Sequence, residues 1–243
     1  MSTTIHIDNV SYKYRRGAQA LDRFSIKAPT GGVLGILGPN GSGKTTLLSI
    51  VARQRRLQGG RIHAEGRLSM DAIRIGWASS EALLYDSIPF DRFVEKVLGP
   101  SLGMTEATAA ARGKDLAGRL GLDEYYSGRP KTFSQGTRMK ASILLAFFET
   151  PDLIVLDEPF NGLDVATVDR MRTLLHEETN DRDIAVIIAD HQVGILDEIV
   201  TDVAFINEGR LLSSGTTREL TTSHGSLTDA YRSVFGIYAP AGG

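Results

Sequence analysis

Polar and apolar residues alternate with a period of two over 4–10 (Thr-Ile-His-Ile-Asp-Asn-Val), and again over 20–28 around Leu21, Phe24 and Ile26. Such alternation predicts strands with one buried face, paired antiparallel near an edge of the fold. The pattern then changes. Residues 33–37 form a continuous apolar run, a glycine-rich loop follows, and over 45–53 Leu47, Leu48 and Val51 share one helical stripe. That is a buried strand, a loop and an amphipathic helix. Further apolar runs at 153–156, 184–189 and 203–206 predict buried parallel strands, and between the first two Val165, Val168, Met171, Leu174 and Leu175 recur at helical spacing. Strand and helix in alternation imply an α/β sheet. Between Tyr85 and Thr150 no strand run occurs, whereas 90–98, 105–120 and 136–148 all carry a helical period. We therefore expect one domain over 1–243, with its core in 1–84 and 150–243 and an inserted helical lobe in 85–149. The tail from Leu211 reads as a turn and two short helical segments, and 239–243 as a frayed end.

Bulk properties narrow the function. With 243 residues and 42% apolar content the chain can bury a sizeable core, yet its apolar runs fall far short of the roughly 20 residues that cross a bilayer. The opening residues Met1-Ser2-Thr3-Thr4-Ile5 lack the basic stretch and apolar run of a signal peptide, so we expect a cytoplasmic protein. Absence of cysteine removes disulfides and thiolate metal sites, which favours Mg²⁺ on oxygen ligands over zinc. A net charge of −2 argues against broad nucleic-acid binding, and Arg53, Arg55 and Arg56 read as a solvated helix end.

Two motifs carry chemistry. Gly38-Pro39-Asn40-Gly41-Ser42-Gly43-Lys44-Thr45 fits G-x-x-x-x-G-K-[ST] between an apolar strand and a helix, which is the context that motif requires. Glycines let successive N–H groups turn inward on a phosphate, and the helix N-terminus adds its positive dipole end. Lys44 then reaches the β and γ phosphates of a nucleotide, the Thr45 hydroxyl suits Mg²⁺, and Thr46 adds a phosphate contact. The second motif, Leu153-Ile154-Val155-Leu156-Asp157-Glu158, is a buried strand ending in two acids that point to opposite sides. Asp157 is placed to hold Mg²⁺ through water beside Thr45, and Glu158 to orient or deprotonate the attacking water. Alone, such an acid pair is better explained as a polar strand terminus, and the phosphate loop reverses that order.

With both motifs in place, nearly the whole chain resembles the ATP-binding cassette (ABC) family, which implies a P-loop NTPase core with a mixed, mostly parallel sheet, an antiparallel β edge region and an inserted helical lobe. Phe133-Ser134-Gln135-Gly136-Thr137 resembles the family's Leu-Ser-Gly-Gly-Gln signature. Ser134 caps the helix that follows, and with Gly136 it can grip the γ-phosphate of ATP held by a second cassette, which can be an identical or a different chain, the motifs here being complete enough for a homodimer. Asn161-Gly162-Leu163-Asp164 is similar to the D-loop, although Asp164 also suits a helix N-cap. His191 resembles the switch histidine that touches the γ-phosphate, and Tyr14 the ring that stacks on adenine, with Tyr12 as a nearby competitor.

The departures matter too. Where relatives carry a glutamine, this chain has Ser80, with Glu81 beside it, and the signature ends in Thr137 in place of glutamine. We expect Ser80 to meet the metal through a bridging water, Glu81 being its rival. The resemblance implies Mg-dependent ATP hydrolysis that powers translocation by a separate transmembrane permease, with the cassette peripheral on the inner face of the membrane. The wording of 133–140, with no regulatory extension after the tail, is most similar to small exporter cassettes. An alternative, a cassette ATPase acting on nucleic acid or ribosomes, would bring long coiled coils between the motifs or two cassettes in one chain, and neither is present. A kinase using the same phosphate loop would have no reason to carry a signature helix.

Overall fold

The computed structural model describes residues 4–15, 17–66, 69–80, 84–182 and 184–237, with residue 181 described by its backbone only. The alternating segments form β1 (Thr4–Lys13) and β2 (Gln19–Ala28), paired antiparallel with Ile7 opposite Ile26. β3 (Val33–Leu37) is buried at every position, as a continuous apolar run requires in a sheet covered on both faces. α1 (Lys44–Val51) follows the glycine-rich loop, and every one of its residues except Thr45 is buried. The expected amphipathic stripe is thus a helix enclosed nearly all round, because α1 runs under the sheet between β2, β6 and β7.

β4 (Gly59–Glu65) pairs antiparallel with β1, Ile7 facing Ile62, and completes a three-stranded sheet β2-β1-β4. Sequence reading misses β4 because its charged residues face solvent along an edge. β5 (Ile75–Ser79) returns the chain to the main sheet. The lobe is helical, as expected: α2 (Phe90–Phe93), a π-type stretch Val94–Leu98, α3 (Gly99–Ser101), α4 (Glu106–Leu120) and α5 (Gln135–Phe148). α5 does not stay within the lobe, since its body packs on β5. One cluster of buried side chains consequently runs from Phe90 and Leu116 in the lobe through Phe147 to Ile154 and Ile188 in the sheet.

β6 (Leu153–Asp157), α6 (Val165–Arg182), β7 (Ala185–Ala189), a single turn α7 (Val193–Leu196), β8 (Asp202–Asn207) and β9 (Arg210–Thr216) complete the core, before α8 (Thr217–His224) and α9 (Leu227–Phe235). Val165, expected on the apolar stripe of α6, is 80% exposed at the helix start. β9 stands where a turn was expected from Leu211, and pairs antiparallel with β8. The six-stranded sheet has the order β5-β6-β7-β3-β8-β9, parallel from β5 to β8. Burial of its Leu and Ile side chains, each worth roughly 1.5–3 kcal/mol, is the main favourable term. No helix among the described residues is long and apolar enough to cross a membrane.

Candidate functional site

Parallel strands leave their carboxyl ends on one edge of the sheet, and the order β5-β6-β7-β3 sets four such ends side by side. Ligands of open α/β sheets bind outside those ends. The edge receives Ser80 after β5, Glu158 after β6, Asp190 and His191 after β7, and the glycine-rich loop after β3.

The loop is built for a phosphate. Gly43 adopts a left-handed φ of 109°, and a Cβ there would sit 2.4 Å from the Ala20 carbonyl oxygen of β2, so only glycine lets the loop close on that strand. α1 then starts with no side-chain cap, which leaves its first N–H groups and their positive dipole end for an anion. Ser42 Oγ is buried and has no hydrogen-bond partner among the described residues. A buried hydroxyl without a partner is costly, and a phosphate oxygen would satisfy it. Beside the loop lies a cleft of about 430 Å³, lined by Tyr14, Gln19, Asn40, Gly41, Gly43, Lys44, Thr45, Thr46 and Glu158 among others. Gly38 and Pro39 contribute from behind, since their carbonyls accept hydrogen bonds from Lys44 Nζ at 2.8 and 3.1 Å. Lys44 is 5% exposed, and burial pushes its pKa down against the support of Glu158, Asp157 and Asp190.

A second cleft of about 480 Å³ shares Thr45 and Glu158 with the first and adds Asp157, Ser80, Ser49, Gln54, Arg55 and Trp77. Thr45 Oγ1 donates to Asp157 Oδ1 at 3.3 Å, so two of the three expected Mg²⁺ residues are already adjacent. Asp157 is 6% exposed, and burial pushes its carboxyl up to about 6. A divalent cation would relieve that buried charge. Among the described residues no group of three or more His, Cys, Asp or Glu side chains could hold a metal by itself. A cation on Thr45 and Asp157 would therefore draw its other oxygens from phosphate and water, as Mg²⁺ commonly does. Ser80 is exposed on the wall of this cleft, whereas Glu81 lies outside the described residues.

Glu158 departs from the strand at a left-handed φ of 49°, and its side chain lines both clefts. His191 Nδ1 stands 3.8 Å from Glu158 Oε1 and 3.6 Å from Asp190 Oδ1. Asp190 was not singled out from the sequence. It is fully buried, its pKa is raised by burial, and it accepts hydrogen bonds from the Gln192 and Phe160 backbones, fixing the turn that presents His191. Nor were Gln54 and Trp77, while Arg55 was expected only as part of a solvated helix end; all three line the second cleft.

Ser134, Gly136 and Asp164 line neither cleft. Ser134 Oγ accepts the Thr137 N–H at 3.1 Å, so it is the N-cap of α5. Asp164 Oδ1 accepts the Thr167 N–H at 2.7 Å, and that bond holds its pKa low. Gly136 abuts the 161–164 loop so closely that a Cβ would lie 2.4 Å from the Gly162 carbonyl oxygen. These three residues form a separate surface next to one another.

Residues 21–161 match the family described as ABC transporter. The chain is 29% identical over 238 residues to the cobalt import ATP-binding protein of Rhodobacter capsulatus, covering 93% of this chain and 84% of that one. It is 30% identical over 219 residues to the daunorubicin/doxorubicin resistance ATP-binding protein of Streptomyces peucetius, covering 88% and 66%. The fold superposes with a TM-score of 0.78 on a dimeric post-hydrolysis state of an ATP-binding cassette bound to ADP and Pi, at 19% identity and covering 88% of this chain and 99% of that one.

Proposed function

The chain belongs to the ABC transporter family as an ATP-binding cassette, and from that premise we propose that it hydrolyses Mg-ATP in a dimer of identical chains to power a separate membrane-spanning subunit. One observation carries this reading: Tyr14, Lys44, Thr45, Asp157, Glu158 and His191, far apart in sequence, meet at the edge where β3, β6 and β7 end.

Tyr14 offers its ring to adenine, and the loop amides with Ser42 take the phosphates. Lys44 turns from the Gly38 and Pro39 carbonyls to the β and γ phosphates, which exchanges neutral acceptors for charged ones. Thr45 and Asp157 would hold Mg²⁺, which would supply neutralisation of phosphate charge, and Ser80 on the same cleft wall would reach it through water. Glu158 accepts a proton from the water whose oxygen attacks the γ-phosphorus, while the bond from that phosphorus to the bridging oxygen of ADP breaks. His191, beside Glu158, donates to a γ-phosphate oxygen. Ser134, Gly136 and Asp164 of one copy complete the site of the other, which accounts for their distance from the cleft of their own chain.

Relatives named for import and for drug resistance match at nearly equal identity, and export is the direction we propose from the likeness of 133–140 to exporter cassettes. In this reading the cassette sits at the inner face of the membrane. Phosphate release in Mg²⁺ and in chelator tests the site: Glu158→Gln should lose about 10²–10⁴ of the Mg-dependent rate while still binding ATP. Full activity in that variant, or activity indifferent to chelation, would overturn the assignment. Co-purification with a multi-helix protein from membranes tests the partner.

A further inference from the structure

Tyr14 is fixed from three sides. Its hydroxyl lies 2.9 Å from Thr46 Oγ1 on α1. Tyr12 meets it edge-on, with ring centroids 5.2 Å apart and planes at 81°. The guanidinium carbon of Arg55 stands over its ring, 5.2 Å from the centroid, and 6.0 Å from that of Tyr12.

The third contact is the informative one. Among the described residues the Arg55 guanidinium has no hydrogen bond and no ion pair, so the two tyrosine rings are its company. Its backbone is nonetheless held in place. The Arg55 N–H donates to the Ser49 carbonyl at 3.0 Å, anchoring it to the end of α1. Gln58 clamps the same segment to β1 by accepting the Lys13 N–H at 2.9 Å and donating to the Lys13 carbonyl at 3.1 Å, next to Tyr14 in the chain. Arg55 lines the cleft that holds Asp157 and Ser80, and not the one that Tyr14 lines. The guanidinium thus covers one face of a ring that itself lines the cleft beside the phosphate loop.

Resting on the reading that Tyr14 is the base platform, we propose that Arg55 is a positioning residue for nucleotide binding, a cation that backs the Tyr14 ring so that its opposite face is set for a purine. A half-exposed tyrosine at a strand end would otherwise sample several orientations, and each must be given up when a base stacks. A guanidinium across one face costs the ring that freedom before the nucleotide arrives, and cation and base can share a ring from opposite sides. Thr46 sets the ring's reach toward the phosphate loop, and Arg55 sets its tilt.

Titration of the full chain with ADP and, separately, with inorganic pyrophosphate tests this. An exposed cation–π contact corresponds to about two- to fivefold in affinity, so Arg55→Ala should weaken ADP by that factor and leave pyrophosphate unchanged. Arg55→Lys should restore part of the loss, and Arg55→Ala should add nothing in a Tyr14→Ala background. Equal weakening of both probes would mean that Arg55 acts on phosphate charge, and tighter ADP binding would mean that it competes with the base for the ring. Either result overturns the proposal, as does unchanged ADP affinity. The two readings separate cleanly. If Tyr14→Ala weakens ADP while Arg55→Ala does not, the role of Arg55 alone falls; if Tyr14→Ala leaves ADP binding intact, the base platform falls and the proposal with it.

Discussion

Asp157→Asn should stabilise the nucleotide-free, metal-free protein. Burial raises the Asp157 carboxyl from 3.8 to about 6, so the ionised group at pH 7.5 is held in the fold at a cost. At about 1.4 kcal/mol per pH unit the gap corresponds to roughly 3 kcal/mol. An amide has nearly the same shape, carries no charge and can still accept the Thr45 hydroxyl that now lies 3.3 Å from Asp157 Oδ1. Against this, Lys44 loses one of the carboxylates that support its buried ammonium, although Glu158 and Asp190 remain. The net gain is about 2–3 kcal/mol, which for a chain of this size is roughly 5–10 °C in Tm. The pH dependence has a definite sign. Because the folded-state value is raised, the wild-type carboxyl favours the fold when protonated, fully so below 3.8, and that contribution is lost as the pH rises through about 6. The advantage of the variant should therefore fall to about half by pH 5. Thermal unfolding in chelator at pH 7.5 and pH 5 measures both quantities. An unchanged or lower Tm at pH 7.5, or a gain that does not shrink on acidification, would refute the argument that Asp157 is kept at the expense of stability for a cation it must later hold.

Lys44→Ala should raise the Kd for ATP about 10- to 100-fold by removing charge-assisted hydrogen bonds from a cradle of neutral amides, and calorimetric titration reads this directly. Gly136→Ala should leave ATP binding by the single chain unchanged yet reduce hydrolysis, because a Cβ 2.4 Å from the Gly162 oxygen separates the start of α5 from the 161–164 loop; paired Kd and turnover measurements check it. Ser80→Gln should lower the Mg²⁺ concentration giving half-maximal ATPase activity, since the longer amide replaces a bridging water with direct reach.

Much of this site was legible in the chain because its parts are contiguous. Residues 38–45 carry their strand before them and their helix after, and 153–158 put two acids at the end of a run that only a covered sheet explains. What escaped was decided across space. β4 and β9 are edge strands whose exposed positions dilute the alternation, with burial in β9 running exposed and intermediate by turns. α1 reads as amphipathic from Leu47, Leu48 and Val51, yet Ser49 and Ile50 are buried as well because the helix is covered on its remaining sides. Asp190 looks like a polar residue after a strand until its zero exposure and two backbone partners identify it as the support of His191. Arg55 belongs to a cluster of arginines that reads as solvated, and it does stay exposed; its contact with Tyr14 depends on the clamp between Gln58 and Lys13. For Ser134, Gly136 and Asp164 the role we propose toward a nucleotide rests on resemblance alone, since they line neither cleft of their own chain.

We propose that two copies share each nucleotide, one giving the phosphate loop and the other the surface around Ser134. Light scattering of Glu158→Gln at saturating Mg-ATP tests it most directly, because that variant should bind ATP without consuming it and so accumulate the closed pair. The protein should be a monomer without nucleotide, a dimer with ATP, and a monomer again when Gly136→Ala is added to Glu158→Gln. A protein that stays monomeric with ATP bound, or that dimerises equally without nucleotide, would contradict it.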